Sequence, residues 1–240
     1  MKVSVIIPAL NEEERLARLL SILGDERSIH EVIVSDGGSS DGTVEVAKSF
    51  SVKVVHSSRG RGHQLASAVE SSNGEVLFFL HADSEPAAGS VSRLEELMCD
   101  SPAIGGGNFR VKYDGESFFF RFVEQLTGFL RQLGLYYGDS GIFVRRSVYD
   151  SIGGFKKLAI MEDVDFVLRL ERRSKTCCIR NYPLLTSTRR FQRHTPLRLI
   201  WLWVKMHVLF ALGVSDRVLA AIYDAHSTES EGACRSSGPD

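Results

Sequence analysis

Short apolar runs alternate with longer amphipathic segments through the first hundred residues, and this alternation most constrains the fold. Four runs have the length of a strand and are largely apolar, at residues 3–7, 31–35, 52–56 and 75–80. The first segment between them repeats leucine at helical spacing from residue 16 to residue 23. Strands that are apolar on both faces and separated by helices are typical of a parallel sheet covered on both sides. The sequence therefore predicts the α/β class.

The second half of the chain is less regular. Strand-like runs at residues 105–111 and 142–145 flank an apolar helical segment at 118–135, and a further helix is predicted at 162–172. From about residue 227 the chain is rich in Ser, Gly and Glu, a composition typical of disorder. We therefore expect one α/β domain at 1–195, an amphipathic helical segment at 196–226 and a disordered tail at 227–240.

Bulk composition argues against several classes of protein. The 29 Lys plus Arg nearly balance the 30 Asp plus Glu, and the net charge of -1 does not favour nucleic-acid binding. The 4 cysteines have neither the number nor the spacing of a disulfide framework or a metal site, which favours a reducing compartment.

The apolar N-terminal run is too short for a signal peptide. Three basic residues interrupt the apolar stretch at 197–214, so we expect a cytoplasmic protein without a spanning helix.

Polar side chains follow each of the four predicted strands. Glu12, Asp36 and Asp83 follow the first, second and fourth strands, and a basic loop at residues 59–64 follows the third. In an open parallel sheet, ligands bind at the carboxyl ends of the strands. Each residue alone has a structural explanation, as a helix cap, a turn, a solvated loop or an ion-pair partner. Their coincidence at one edge of the sheet favours a binding site.

Four segments in this order resemble the motifs of the family 2 glycosyltransferases, at residues 3–13, 32–43, 78–83 and 161–165. The resemblance covers about residues 1–190 and implies the GT-A fold, which is a Rossmann-like, mostly parallel central sheet with flanking helices. The basic loop at 59–64 and the segment Arg189-Arg190-Phe191 resemble a compact bacterial-type subgroup. Some members of that subgroup are assigned to arsenosugar biosynthesis.

The resemblance implies an inverting, metal-dependent transfer of a sugar from a nucleoside-diphosphate sugar to a hydroxyl acceptor. A carboxylate at Asp36 suits the N–H edge of uracil, so a UDP-sugar is favoured, with GDP-sugars as the alternative. Asp83 is expected to hold Mn2+ or Mg2+, which neutralises the departing diphosphate. The implied nucleotide-binding residues are Pro8, Leu10, Glu12, Asp36, Arg61, His81 and Ala82.

One position departs from the family pattern. The metal motif usually has two acids separated by one residue, but here the first of them is His81. This imidazole either contacts the ribose, coordinates the metal, or packs without contacting either.

The resemblance makes Asp163 the candidate general base, which takes the proton of the acceptor hydroxyl as the hydroxyl attacks the anomeric carbon. The alternative is that Glu162 and Asp163 only complement the dipole of the helix that they open. Arg189 and Arg190 are expected to close over the diphosphate, with a solvated basic loop as the alternative. The candidate acceptor site consists of Gly138, Asp139 and Glu162, and for the first two the alternative is a tight turn.

The stretch at residues 196–210 is rich in Trp and Leu with isolated bases. It either packs on the catalytic domain or on a second subunit in a homodimer, or it lies in a membrane interface, where Trp and Lys are favoured. The second alternative would make the protein peripheral to the inner face of a membrane. A membrane contact would suit a lipid-linked acceptor, and a small-molecule acceptor is the alternative.

Two other classes of protein compete with a glycosyltransferase. A nucleotidyltransferase normally carries a Gly-rich basic loop directly after the first strand, but residues 9–12 are Ala-Leu-Asn-Glu. A non-catalytic nucleotide-sugar-binding module needs no general base, yet both Asp83 and Asp163 are present.

Overall fold

The computed structural model describes residues 1–115, 117–188 and 196–224. The strands are β1 (Val3–Ala9), β2 (Ile29–Asp36), β3 (Lys53–His56), β4 (Val76–Phe79), β5 (Ser84–Pro86), β6 (Ile104–Tyr113), β7 (Phe143–Arg145) and β8 (Lys175–Thr186). The helices are α1 (Glu13–Gly24), α2 (Thr43–Ser49), α3 (Arg61–Glu70), α4 (Ser90–Asp100), α5 (Phe118–Gln132), α6 (Arg146–Ser151), α7 (Glu162–Arg173) and α8 (Pro196–Ala211), and a final helix spans residues 216–224.

All eight strands belong to one sheet in the order β3-β2-β1-β4-β7-β6-β8-β5. Strands β1 to β4 are mutually parallel, as is the pair β6 and β8. Strand β7 runs antiparallel to β4 and β6, and β5 runs antiparallel to β8. The sheet is therefore a parallel half joined to a mixed half, and the predicted α/β class is confirmed.

In the parallel half of the sheet, the register places the ends of β1 and β2 side by side, and β4 ends next to β1. Ala9 at the end of β1 lies opposite Asp36 at the end of β2, and Ile6 lies opposite Phe79 at the end of β4. Every residue of β1 is buried, because the strand lies inside the sheet and is covered on both faces. The loops after β1, β2 and β4 consequently meet at one edge.

Helices cover both faces of the sheet. Val5 and Ile7 of β1 pack with leucines of α1 and with α4, whereas Ile6 between them packs on the other face with α3 and α7. This alternation follows from the strand period of two. It explains why the parallel strands are apolar at consecutive positions.

The C-terminal helices pack on the sheet domain through α7. Leu202 and Met206 of α8 are each 3% exposed and pack against Met161 and Val164, at the start of α7. Packing on the catalytic domain, one of the two alternatives for this stretch, is therefore observed. Among the described residues, no helix is long and apolar enough to cross a membrane.

Four elements were not anticipated from the sequence, namely β5, α4, α6 and β8. The predicted helix at 118–135 ends earlier, at Gln132, and the predicted disordered tail at 227–240 lies outside the described residues.

Candidate active site

The loops after β1 and β2 are joined by hydrogen bonds. The Asn11 side-chain oxygen accepts from the Ser40 N–H at 2.8 Å, and the Asn11 N–H donates to the Ser39 hydroxyl at 3.0 Å. Asn11 has a φ of 54°, a left-handed conformation that Asn tolerates better than most residues. These contacts fix the relative positions of the two loops at the predicted nucleotide pocket.

Asp36 ends β2 as a buried carboxylate held by its own loop. It accepts from the Gly38 N–H at 3.0 Å and the Ser39 N–H at 3.1 Å, and His56 Nδ1 lies 3.5 Å away. Burial acts to raise the pKa of this carboxyl. The hydrogen bonds from Ser39 and Gly38, together with His56, outweigh burial and hold the pKa below its usual range. Asp36 is therefore ionised and oriented at physiological pH.

The other residues predicted for the nucleotide pocket on β1 and α1 differ in exposure. Pro8 is buried within β1, and Leu10 is half-buried in the loop that follows. The Glu12 carboxylate forms an ion pair of 2.6 Å with Arg15 on the next turn. Because both side chains of this pair remain about 30% exposed, the contact leaves Glu12 accessible from the loop side.

Gln64 is a site-organising residue that the sequence analysis did not single out. Its side chain is buried on α3, and its amide donates to the Ala9 carbonyl at 2.7 Å and the Ser35 carbonyl at 2.9 Å. These carbonyls lie at the ends of β1 and β2, so one side chain ties α3 to both strands. The available signal was a lone amide among the otherwise small or apolar residues of the buried face of α3.

Arg61 and Glu162 join the first turns of α3 and α7. Arg61 Nε lies 2.7 Å from Glu162 Oε1, and the Glu162 side chain is only 2% exposed. Burial raises the pKa of Glu162, with Asp163 adding to the effect and Arg61 opposing it. Burial also opposes the charge on Arg61, but Glu162, Asp163 and Asp139 raise the pKa of Arg61 overall. Arg61 was predicted to contact the nucleotide, but its ion pair is with Glu162, which was predicted for the acceptor site.

Asp163 and His81 both lie close to Gly138. The Gly138 N–H donates to Asp163 Oδ2 at 2.9 Å, and the Val164 N–H donates to Oδ1 at 2.8 Å. A Cβ added at Gly138 would lie 2.7 Å from His81 Nε2 and 3.5 Å from Asp163 Oδ2. The half-buried Asp163 carboxylate is therefore oriented by two N–H groups and faces the loop that carries His81.

Hydrogen bonds hold the turn at Gly138–Ser140 in place next to Asp163. The Ser140 hydroxyl donates to the Tyr137 carbonyl at 2.6 Å, and the Thr186 hydroxyl of β8 donates to the Asp139 carbonyl at 3.3 Å. Burial together with the carboxylates of Asp163 and Asp139 raises the pKa of Tyr137 to about 12. Tyr137 consequently keeps its hydroxyl proton near the candidate base.

Asp165 has a different environment from Asp163, as expected for a residue two positions along a helix. It pairs with Lys156 at 2.7 Å and with Arg169 at 2.5 Å. Asp165 thus serves the packing of α7. The predicted diphosphate-closing residues Arg189 and Arg190 lie outside the described residues.

Asp83 lies between β4 and β5, half-buried, and the preceding Ala82 is buried. Within the described part of the chain, no group of three or more His, Cys, Asp or Glu side chains is gathered tightly enough to hold a metal ion. Mg2+ in phosphate-transfer sites is commonly held by one or two carboxylates together with substrate phosphates. One accessible carboxylate at Asp83, two residues after His81, fits a metal of that kind.

Comparison with known proteins agrees with this architecture. Residues 4–155 match the model of glycosyl transferase family 2. The probable glycosyltransferase YdaM of Bacillus subtilis is 27% identical over 194 residues, which cover 70% of this chain and 46% of that protein. The chain thus spans about half the length of this relative.

Two solved structures share the fold. The mannosyltransferase PcManGT from Pyrobaculum calidifontis, in complex with GDP-Man and Mn2+, aligns with a TM-score of 0.66 and 17% identity over 99% of this chain and 76% of its own. Glucosyl-3-phosphoglycerate synthase from Mycobacterium tuberculosis, in complex with Mn2+, UDP and glucosyl-3-phosphoglycerate, aligns with a TM-score of 0.61 and 21% identity, covering 90% and 81% of the two chains.

The sheet and its flanking helices are therefore the GT-A fold that the motifs predicted. Because the family match covers more than half of the 240 residues, the chain belongs to glycosyl transferase family 2.

Proposed function

We propose that this protein transfers a sugar from a nucleoside-diphosphate sugar to a hydroxyl acceptor, with inversion at the anomeric carbon. The observation that carries the proposal is the position of Asp163. This accessible carboxylate is oriented by the Gly138 and Val164 N–H groups and lies beside Arg61 and His81 in a family 2 chain.

The nucleotide is proposed to bind at the carboxyl ends of β1 and β2. Asp36 is ionised and accepts hydrogen bonds, which suits the N–H edge of uracil and favours a UDP-sugar. The solved relatives hold GDP-Man in one case and UDP in the other, so the fold accommodates both nucleotides. Pro8, Leu10 and Glu12 would line the same pocket, with Ala82 at the end of β4.

Asp83 is proposed to hold the divalent metal, with His81 two residues before it at the edge of the same loop. Such a metal, Mn2+ or Mg2+, acts as a Lewis acid that neutralises the charge developing on the departing diphosphate. Arg61 is proposed to support the same task, because its side chain is 35% exposed while it pairs with Glu162, and a guanidinium suits phosphate oxygens.

The chemical step assigned to the chain's own residues is proton removal. The acceptor oxygen forms a bond to the anomeric carbon while the bond from that carbon to the diphosphate oxygen breaks, and the diphosphate leaves with the electron pair. The acceptor proton passes to Asp163, whose carboxylate is already oriented by two N–H groups. Gly138 and Asp139 would form the floor beneath the acceptor, which is lipid-linked or a small molecule. Glu162 would act there through Arg61, because it is itself buried.

Donor binding can be tested by thermal shift with UDP-, GDP- and TDP-sugars, each with Mn2+ and with a chelator. A donor at about 100 times its Kd adds about 2.7 kcal/mol, which should raise the Tm by about 5 °C or more. We expect this shift for one donor, in the presence of Mn2+ only. No shift with any donor would contradict the proposal.

Replacing Gly138 with alanine should reduce donor turnover by about 100-fold, since a small displacement of reacting groups has effects of that order. The new Cβ would lie 2.7 Å from His81 Nε2, which must shift, and would make an ordinary van der Waals contact of 3.5 Å with Asp163 Oδ2. The measurement is the release of nucleoside diphosphate at saturating donor. Gly128→Ala is the matched control, because nothing lies within 4 Å of a Cβ there, in the middle of α5. Wild-type turnover in Gly138→Ala would show that this crowding has no catalytic consequence.

A further inference from the structure

Helix α5 carries an apolar stripe that faces outward. Phe118 is 84% exposed, Phe122 46%, Phe129 57% and Leu133, at its C-terminal cap, 63%. At 3.6 residues per turn, these four positions fall within about 60° of one another around the helix axis. Only Val123 of this 15-residue helix is buried. A helix normally buries its apolar face, but no residue in the described part of the chain covers this stripe.

Helix α8 has a second outward stripe. Trp201 is 60% exposed, Val204 57%, Val208 51% and Leu212, just after the helix, 75%. These positions fall within about 80° around the axis, while the buried Leu202 and Met206 lie on the other side. The helix thus packs on the domain with one apolar face and presents another to the outside.

The two helices are neighbours. Trp203 of α8 packs in one cluster with Phe119 and Phe120 of α5, over the buried Val123. The outward stripes of α5 and α8 are called the apolar surface below. Exposed apolar stripes on two neighbouring helices often mark an interaction site.

The charges around the apolar surface are predominantly basic. Arg121 on α5, Arg198 on α8 and Arg217 on the final helix are exposed. The Lys205 ammonium lies 5.1 Å from the centre of the Trp201 ring. The sequence of α8, residues 196–211, contains no Asp or Glu.

Two of the acids on the same helices are engaged by backbone groups. Glu124 accepts from the Tyr113 N–H and Asp216 accepts from the Ala159 N–H. Asp224, at the end of the final helix, is exposed. The hydrogen-bonded carboxylates keep their charges, so the four basic side chains named above stand against three acidic ones on these helices, and the excess of positive charge is on α8.

We propose that the apolar surface docks in the interface of a bilayer containing anionic lipid. Exposed aromatic side chains bordered by Lys and Arg, on helices that lie along a surface, are the physical requirements for such binding. A second copy of the chain would have to cover the same basic face with an equally basic one, which opposes self-association. The buried face of α8 contacts Met161 and Val164 on either side of Asp163, so docking through the opposite face would place α8 between the bilayer and the candidate base.

The test is flotation of the full chain with vesicles of zwitterionic phospholipid and with vesicles that also contain anionic phospholipid. We expect flotation with the anionic vesicles, weakened about tenfold or more by high salt because exposed charges are then screened. The double variants Phe118→Ser/Phe129→Ser and Trp201→Ser/Val204→Ser should each lose flotation with little change in Tm, since the replaced side chains are exposed. Phe50→Ser is the matched control, because Phe50 is 40% exposed at the C-terminal cap of α2, outside the apolar surface, and it should float like the wild type.

Three outcomes would overturn the proposal: no flotation with either vesicle, equal flotation with both, or wild-type flotation of both double variants. Dimers in light scattering that Phe118→Ser/Phe129→Ser dissociates, without vesicle binding, would instead assign the surface to a homodimer. Asp163→Asn should float like the wild type, so membrane docking and catalysis can fail independently.

Discussion

Replacing Asp163 with asparagine should lower donor turnover by about 10²- to 10⁴-fold, the usual contribution of a general base. Asparagine keeps the shape of the side chain and can accept from the Gly138 N–H, but its NH2 group cannot accept from the Val164 N–H and the amide cannot take the acceptor proton. Donor affinity should stay within about threefold of wild type, because the loss is confined to the chemical step. The measurements are release of nucleoside diphosphate at saturating donor and donor Kd by calorimetry.

Asp165→Asn is the control for this experiment. Asp165 is on the same turn of α7, but its carboxylate pairs with Lys156 and Arg169. Its replacement should lower stability and leave turnover at saturating donor nearly unchanged. Near wild-type turnover in Asp163→Asn, or equal losses in both variants, would remove Asp163 from the role of base.

The second large effect concerns stability. Arg61→Met should destabilise the fold by about 3 kcal/mol, at the lower end of the range for breaking a buried ion pair, because Arg61 itself is 35% exposed. Glu162 would remain buried without its counter-charge, so the pKa of Glu162 should rise beyond its already raised value. An acid whose folded pKa is raised costs no stability below its unfolded pKa of about 4.3, costs progressively more as pH rises from there to the folded pKa, and costs a constant amount above it. Because the pKa of Glu162 is already raised in the wild type, the destabilisation by Arg61→Met should grow as pH rises above that wild-type pKa toward the higher pKa in the variant, which urea unfolding at several pH values would measure.

Two further variants distinguish this explanation from a general loss of packing. Arg61→Met/Glu162→Gln should remove most of the added pH dependence, because no buried carboxyl remains to titrate. Arg18→Met breaks the more exposed pair with Glu85, where Arg18 is 69% exposed, and should cost only about 0–1 kcal/mol. A pH-independent loss in Arg61→Met would contradict the assigned role of Glu162.

The parallel half of the fold could be predicted because its information is local. Each residue of β1 is buried and all but Ser4 are apolar, and the leucines of α1 repeat at the helical period. The loops that follow contain short motifs from which their chemistry can be inferred. The ends of β1 and β2 and the start of α7 were therefore recognised from sequence.

The mixed half depends on pairings between distant residues. Strand β5 is three residues long and contains Pro86, and it exists because it pairs with β8 about 100 positions later. Strand β8 has no regular alternation of burial, since it pairs with β6 on one side and β5 on the other. Neither strand has a local pattern that predicts it.

The same limit applies to the site. Glu162 and Asp163 are adjacent in sequence and both acidic, yet one is buried against Arg61 and the other faces His81 across Gly138. That division comes from the packing of α3 against α7. Likewise, the role of Gln64 depends on the two strand-end carbonyls that it reaches.

The most direct test of the central claim is release of nucleoside diphosphate from nucleotide sugars by the purified wild-type chain. The reaction is run with Mn2+ and then with a chelator, using water and a lipid extract as acceptors. The account predicts release from at least one of a UDP-, GDP- or TDP-sugar, and loss of that release when the metal is chelated. A donor that binds with Mn2+ but is never cleaved, with either acceptor, would contradict it.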